Sequence, residues 1–474
     1  MALVIAMTIG EIAEAVDGRV AGDADAASRV VDGLSYTDSR EVEPGGIFFA
    51  KPGEFTDGHL FAPQAVERGA ALVVVDHDLG LDVPQVVVAD VVEALGALAR
   101  AVIARVRTAG ILRIVGITGS NGKTTTKNLL AAILGRVGQT VAPRASFNNE
   151  VGAPLTMLEV DEETRFLVAE MGASREGDIA RLIRMAKPDV GVVLKVGLAH
   201  AGEFGGIERT QRAKSEMVTD LDVGDTAVLN ADDPRVSAMA QLTKARVLWF
   251  GVDGTAAADR VRAMDVRSSR SGTTFTLKLP DGTSSEVVFR VLGEHHVANA
   301  LAAASAAHAL GVSIDDIVAG LQSVTRAERW RMEVMGGAGG VTVINDAYNA
   351  SPDSMAAALK TLVQLREPAG RAIAVLGEMS ELGEAAGDEH DRIGLLAVRL
   401  GVDQVVVVGP GARRMHISSI NEGSWDGESV FVETQDEAFE LLKSMLREGD
   451  TVLVKSSNSA GLRHLGDRLG EQYS

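Results

Sequence analysis

The stretch Thr118-Gly119-Ser120-Asn121-Gly122-Lys123-Thr124-Thr125 follows an apolar run, Ile111 to Ile117, and opens into the helix-prone segment Thr126 to Leu134. Strand, glycine turn and helix start, in that order, make a cradle for phosphate. Glycines let backbone N–H groups turn inward, the helix N-terminus adds its dipole, Lys123 reaches terminal phosphate oxygens and the Thr124 hydroxyl suits Mg²⁺. The pattern predicts a site that binds ATP and spends it, with Gly119 through Thr125 as the nucleotide contacts. Three residues downstream add further chemistry. Glu170 ends the apolar run Phe166 to Glu170, and a carboxylate at the carboxyl end of a buried strand can hold nucleotide-bound Mg²⁺; a solvated acid is the ordinary alternative. His200 likewise follows an apolar run, Val190 to Val196, and a glycine turn. Lys214 lies on a helical pattern after Gly205-Gly206, where a solvated lysine is the usual occupant.

Further along, Gly293-Glu294-His295-His296-Val297-Ala298-Asn299 opens an alanine-rich helix, and an amide there is either a ligand contact or only a cap. Arg329-Trp330-Arg331-Met332-Glu333 and Asn345-Asp346-Ala347-Tyr348-Asn349 follow. Asp346, at a strand end, can accept from a ribose hydroxyl or a Mg²⁺-bound water. Lys455 ends the last strand, as an anion contact or as an exposed cation.

These side chains need a scaffold, and its pattern is legible. Apolar β-branched runs at Ala71 to Val75, Val86 to Val88, Ile111 to Ile117, Phe166 to Glu170, Val190 to Val196, Thr226 to Leu229 and Val247 to Phe250 alternate with helical patterns. Continuous apolar runs indicate strands buried on both faces, hence parallel α/β sheet. Phe275 to Leu279 and Glu286 to Val291 flank Pro280-Asp281-Gly282 and predict an antiparallel hairpin. Met1 to Met7 reads as a first strand. After Arg326 the pattern restarts with Val341 to Ile344, Ala372 to Leu376, Gln404 to Val408 and Thr451 to Val454, a second doubly wound unit. Gly336 to Gly340 is expected as a turn inside that unit.

The chain has 474 residues, too many for one compact core, and three domains are expected. Its formal charge of −19 argues against unspecific nucleic-acid binding. Cysteine is absent, so disulfides, thiolate metal sites and cysteine nucleophiles are excluded. The start of the chain lacks the basic region of a signal peptide, and the alanine-rich stretch Val297 to Val312 is too short and polar to span a bilayer, which predicts a cytoplasmic protein without membrane insertion.

The cradle has Ile117 where the strict P-loop pattern asks for glycine, and its shorter Thr-Gly-x-x-Gly-Lys-Thr-Thr form resembles the Mur ligases. Cradle, Glu170, His200, Lys214, Asn299, Arg331 and Asp346 in succession are similar to that family along nearly the whole chain. The resemblance implies an α/β fold of three domains: residues 1–108 binding the uridine nucleotide, 109–326 forming a central P-loop-type parallel sheet that binds ATP, and 327–474 forming a C-terminal Rossmann-like doubly wound sheet. It also implies two Mg²⁺ sites and a lysine, matching Lys214, carbamylated by CO₂. Thr124, Glu170, His200 and Lys214 would then hold the metals, and Lys123, Lys214, His200 and Glu170 would be catalytic. Asn299 would lie beside adenine, with Arg331 and Asp346 closing onto the nucleotide.

The segment Asp38-Ser39-Arg40 through Asp57-Gly58-His59 resembles the family's uridine-nucleotide module, which places Ser39, Arg40, Asp57, Gly58 and His59 near uridine or pyrophosphate. Ser146-Phe147-Asn148-Asn149 resembles a substrate loop, with Asn148 and Asn149 bonding the peptide. Asp232-Asp233-Pro234-Arg235 imitates a diamino-acid recognition motif but falls in the central unit, whereas Leu376-Gly377-Glu378-Met379 is similar to members that add D-alanyl-D-alanine. The implied substrates are UDP-N-acetylmuramoyl-tripeptide and D-alanyl-D-alanine, used by a monomer. The alternatives are the diamino-acid-adding relative of the preceding step, a folylpolyglutamate-type ligase and an ATP-binding scaffold without catalysis. Lys455-Ser456-Ser457-Asn458 departs from the family's Lys-Gly-Ser-Arg.

Overall fold

In the computed structural model, residues 5–53, 56–108, 110–144, 146–198, 206–252, 260–269, 272–325, 328–337, 340–423 and 427–474 are described. The phosphate-cradle strand, Arg113–Thr118, lies inside a nine-stranded sheet. It is flanked by Phe166–Glu170 and Val190–Val193, both parallel to it, with Glu170 opposite Ile117 and Val193 opposite Thr118. Parallel pairing in this register brings the carboxyl ends of all three strands to one edge, where the cradle turns into the helix Lys123–Leu134. The sheet continues through Thr226–Asn230 and Arg246–Gly251, and Thr140–Val141 pairs on the other side.

The far edge of this sheet is antiparallel. Gly272–Lys278 and Ser284–Phe289 form the hairpin expected around Pro280-Asp281-Gly282. A strand the sequence did not suggest, Arg260–Ser269, joins that hairpin to the parallel part. Its Arg260, Arg262, Asp265 and Arg267 hide the strand among charged residues.

Helix Lys123–Leu134 buries Leu129, Leu130, Ile133 and Leu134 against the alanine-rich helix His295–Ala309 and the helix Ile314–Ser323. Each such side chain stabilises the fold by about 1.5–3 kcal/mol. Alanine on every face of His295–Ala309 lets it sit close to its neighbours and be buried all round.

The C-terminal sheet runs Glu333–Gly336, Thr342–Asn345, Thr451–Lys455, Ala372–Leu376, Gln404–Val408, Ser429–Val432, with only the first strand antiparallel. Separate apolar clusters fill its two faces, which makes it the doubly wound unit expected. Gly336 and Gly337 begin the turn of its antiparallel edge; Ala338 and Gly339 lie outside the described residues.

The N-terminal sheet has five short strands, Arg19–Ala21, Gln85–Val87, Leu72–Val75, Ile47–Phe49 and Ser35–Tyr36 in spatial order. The expected first strand shrinks to Met7–Thr8, paired with Val30–Val31; Thr8 caps the next helix instead of extending the strand. Residues 1–4 lie outside the description. Helix Val91–Thr108 carries an apolar stripe of Leu95, Leu98, Val102 and Val106 and packs on helices Gly152–Met157 and Asp178–Ala186 of the central unit. A single apolar cluster therefore runs from Ile5 through Val102 to Met217 and Ala245. The N-terminal unit is thus fused by its last helix to the core beneath the cradle.

Candidate active site

The cradle and the C-terminal sheet enclose a cavity of about 500 Å³. Ser120 to Thr125, Glu170 and Asn299 line it from the central unit, and Arg331, Asp346 and Lys455 from the C-terminal one. Gly119 (φ +154°) and Gly122 (φ +86°) take backbone conformations that L side chains avoid, which is why the turn needs glycine at those positions. A Cβ on Gly122 would meet Asn299 Oδ1 at 2.3 Å, so the cradle and this amide are fitted to one another.

Lys123 is half-buried, and its Nζ donates to the Gly119 carbonyl at 2.8 Å, folding the ammonium back over the loop. Burial pushes its pKa down, partly opposed by Glu170. Thr124 Oγ1 stands 3.2 Å from Ser146 Oγ and accepts from Arg331 Nη2 at 3.3 Å. Ser120 and Asn121 are structural as much as ligand-facing. Ser120 Oγ bonds both the N–H (2.9 Å) and the carbonyl (3.2 Å) of Gly197, and Asn121 Oδ1 accepts from Ser351 at 3.2 Å, leaving its buried Nδ2 without a partner.

Glu170 is buried, contrary to the solvated-acid alternative. Asn148 donates to Oε1 at 2.8 Å, while Oε2 is shielded from solvent with no hydrogen bond. A buried carboxylate oxygen left in that state is costly unless something cationic meets it. With the Thr124 hydroxyl lining the same cavity, oxygen donors of this kind fit Mg²⁺. Lys214 is also buried, on helix Ile207–Thr219, so the solvated-lysine alternative does not hold. Burial, and after it the charge of Lys123, lower its pKa to about 7. Two residues on, Glu216 accepts from the N–H groups of Gly177 (2.6 Å) and Ala180 (2.9 Å) and so locks the Lys214 helix to Asp178–Ala186. His200 lies outside the described residues.

Asn299 is not a cap. It is the fifth residue of helix His295–Ala309, buried, with its Nδ2 3.1 Å from His296 Nδ1. His295 faces the cavity with its side chain accessible, and desolvation by the surrounding walls lowers its pKa; His296 is buried, which holds it well below the usual imidazole range, with His295 adding to the effect. The sequence pattern contained both histidines, but nothing in it distinguished wall residues from core ones.

Arg331 sits between Trp330 (φ +60°) and Met332 (φ +50°), two non-glycine residues in the left-handed region. The Met332 N–H donates to Asp346 Oδ1 at 3.0 Å, and the Arg331 guanidinium lies over the Tyr348 ring at 4.3 Å. Strain of this kind persists where surrounding bonds over-determine it, and here it presents Arg331 to Thr124. Lys455 is neither exposed nor a free anion contact: its Nζ donates to Asp346 Oδ2 at 2.7 Å and to the Asn349 carbonyl at 2.9 Å. Both Asp346 oxygens are thus engaged within the protein. Lys195 and Asp353 (3.3 Å), which sequence reasoning passed over, form a further bridge between the two units.

A second cavity, of about 160 Å³, adjoins Lys123 and Lys214 and is bordered by Asn148 and Asn149. Asn149 Oδ1 also accepts from the Gly152 N–H at 2.9 Å, so one end of that amide is spent on starting a helix. In the N-terminal unit Ser39 donates to Gln64 at 2.7 Å, and Arg40 is exposed against Asp38. Asp57 accepts from the His59 N–H (3.0 Å) and ring Nδ1 (2.6 Å), while the Asp76 N–H donates to His59 Nε2 at 3.1 Å. Both ring nitrogens of His59 are therefore occupied, Nε2 also lying 3.1 Å from Asp76 Oδ1. A Cβ on Gly58 would meet the Lys51 carbonyl at 2.4 Å, which explains glycine there. Asp233 caps the helix Pro234–Ala238, and Asp232 accepts from the Val252 N–H, so the Asp-Asp-Pro-Arg turn is architectural.

Family models match residues 34–112 as Mur ligase family, catalytic domain, 117–307 as Mur ligase middle domain and 330–458 as Mur ligase, glutamate ligase domain. The chain is 44% identical to the UDP-N-acetylmuramoyl-tripeptide--D-alanyl-D-alanine ligase of Mycobacterium tuberculosis, over 98% of each chain. It is similar to the structure of UDP-N-acetylmuramoylalanyl-D-glutamyl-2,6-diaminopimelate--D-alanyl-D-alanyl ligase from Acinetobacter baumannii, with a TM-score of 0.85, 31% identity and 99% of each chain covered. It also matches MurF ligase from Thermotoga maritima in complex with ADP, with a TM-score of 0.79, 27% identity, 93% of this chain and 99% of that one.

Proposed function

The chain belongs to the Mur ligase family, and we propose that its reaction joins D-alanyl-D-alanine to UDP-N-acetylmuramoyl-tripeptide, with ATP converted to ADP and phosphate, in peptidoglycan precursor synthesis. One observation carries this reading beyond kinship: the phosphate cradle, Glu170 and Lys214 meet where the nucleotide cavity adjoins a second, smaller one, so a bound acceptor carboxylate would face the γ-phosphate.

A carboxylate oxygen of the tripeptide attacks the γ-phosphorus, the bond to the ADP oxygen breaks, and an acyl phosphate results. The dipeptide amine then adds to the acyl carbon. The tetrahedral intermediate loses phosphate, which carries away one former carboxylate oxygen, and the amine releases its proton. Two anions must approach one another in the first step, so alignment and charge neutralisation are the site's main work. Lys123 and Arg331 supply fixed positive charge to the phosphate end, and Asn299 fits the adenine side.

We assign two Mg²⁺ ions to the site by its family resemblance, one that Thr124 and Glu170 would hold and a second that His200 and Lys214 would hold, which would supply further neutralisation of phosphate charge. A neutral Lys214 amine can add to CO₂, forming a carbamate and releasing a proton. That converts a cation repelled by Lys123 into an anion attracted by it, and turns a lysine into an oxygen ligand. Ser39, Arg40, Asp57, Gly58 and His59 would take the uridine nucleotide, and Asn148 and Asn149 its peptide. We divide the chain into units at 1–108, 109–326 and 327–474, working as a monomer in the cytoplasm. Among the described residues no helix is long and apolar enough to cross a membrane.

The test is ADP release and product mass with ATP, Mg²⁺ and two substrate pairs. ADP and a mass gain are expected with UDP-N-acetylmuramoyl-tripeptide plus D-alanyl-D-alanine. Turnover confined to a diamino acid and the dipeptide precursor would move the chain to the preceding step. ATP binding without either product would leave a scaffold.

A further inference from the structure

The cavity beside Lys123 and Lys214 is also lined by Glu150, Asp178 and Arg181. If the proposed reaction is correct, the acceptor's reacting carboxylate belongs to the third residue of its peptide. That residue's side chain leaves the carbon next to the reacting carboxyl group, so it must occupy space bordering the two lysines. The 160 Å³ cavity is such a space.

Its charges are unequal in availability. Both oxygens of Asp178 are engaged: Oδ2 accepts from the Ser174 and Arg175 N–H groups at 3.0 Å each, and Oδ1 meets Arg175 Nε at 3.2 Å. Arg181 differs. Its Nε and Nη2 are shielded from solvent, yet neither makes a hydrogen bond. Nη2 lies 2.9 Å from Glu93 Oε1, outside hydrogen-bonding geometry, and that glutamate's side chain is 68% exposed. Glu93 thus covers the guanidinium edge as a surface carboxylate that can swing into water. Arg181 is also held in register with Lys214, because Glu216 accepts from the first turn of its helix.

We propose that Arg181 is a specificity-determining residue: it exchanges Glu93 for the distal carboxylate of the acceptor's third residue, selecting a side chain that ends in both an ammonium and a carboxylate, as in diaminopimelate, over one that ends in an ammonium alone, as in lysine. The guanidinium fork matches a carboxylate in two parallel hydrogen bonds. Glu150, exposed at the same cavity, is the acid available to the accompanying ammonium. A lysine side chain would bring its ammonium to Arg181 with no carboxylate to offset the repulsion.

The experiment compares kcat/KM for the two UDP-N-acetylmuramoyl-tripeptides, with D-alanyl-D-alanine and ATP saturating, in the unaltered protein, Arg181→Gln and Arg181→Lys. The unaltered protein is expected to favour the diaminopimelate peptide by about tenfold or more. Arg181→Gln should erase that ratio through a raised KM for the diaminopimelate peptide while turnover of the lysine peptide stays within about threefold. Arg181→Lys, which keeps charge but loses the fork, should fall between, and it serves alone if the glutamine variant does not fold. Equal use of both peptides by the unaltered protein, or an equal loss for both in the variants, overturns the proposal. No turnover of either peptide removes the ligase reading itself, and the proposal with it.

Discussion

Lys214 concentrates the residue-scale argument, because a buried amine with a pKa near 7 beside a second lysine is unstable as a cation and useful as a carbamate. Lys214→Ala is expected to lower kcat by at least about 100-fold, the scale for losing one charged group at a reacting phosphoryl centre, with partial recovery on adding short carboxylic acids. Near-normal turnover without any response to those acids would contradict the carbamate. His295 makes a second prediction. Above pH 6.5 it is neutral in both folded and unfolded chains; as pH falls towards 4 only the unfolded chain takes up the proton, so stability drains away across that window. His295→Gln should lose less stability than the unaltered protein between pH 7 and pH 5 in urea titrations, by an amount that solvent reaching the ring reduces. Parallel losses would contradict it. The residue types at this site were legible as chemistry before any fold was known, but their state was not. Nothing in the sequence said that Lys214 is buried or that Lys455 is spent on Asp346, since each depends on residues far away in the chain.

Three parallel strands place the catalytic groups, and they were the most readable elements because strands buried on both faces leave continuous apolar runs in the sequence. The strand Arg260–Ser269 was missed for the opposite reason: its exposed face is charged, and no apolar run marks it. Asn299 looked like a helix-start amide, yet the helix begins at His295 and carries the side chain into the cavity wall. The cradle itself makes the element-scale prediction. Gly122→Ala forces a left-handed backbone on an L residue and drives a Cβ to 2.3 Å from Asn299 Oδ1. The strain alone costs about 1–2 kcal/mol, so the KM for ATP should rise about tenfold or more, read by initial rates at saturating peptide. An unchanged KM would mean that the loop and Asn299 do not meet the nucleotide as a unit.

Across the whole molecule the reacting groups belong to separate units, and polar contacts hold those units together: Arg331 to Thr124, Ser351 to Asn121, and Lys195 to Asp353. Gly197 lets this approach happen, since a Cβ there would sit 2.3 Å from Asp353 Oδ2. A cavity assembled from both sides keeps water from the acyl phosphate, whose hydrolysis is the competing reaction. Three α/β units and their order could be read from the restart of the strand pattern, whereas the fusion of the first unit to the second through helix Val91–Thr108 could not, because that helix's apolar stripe does not name its partner. The central claim is that the tripeptide carboxylate itself attacks ATP. The measurement that tests it most directly uses tripeptide labelled with ¹⁸O in its terminal carboxylate, with ATP, Mg²⁺ and D-alanyl-D-alanine, and reads the mass of the released phosphate. Acyl-phosphate chemistry predicts one labelled oxygen per phosphate, formed in step with ADP and amide product. Unlabelled phosphate would contradict the account, because ATP would then be cleaved by water and not by the acceptor.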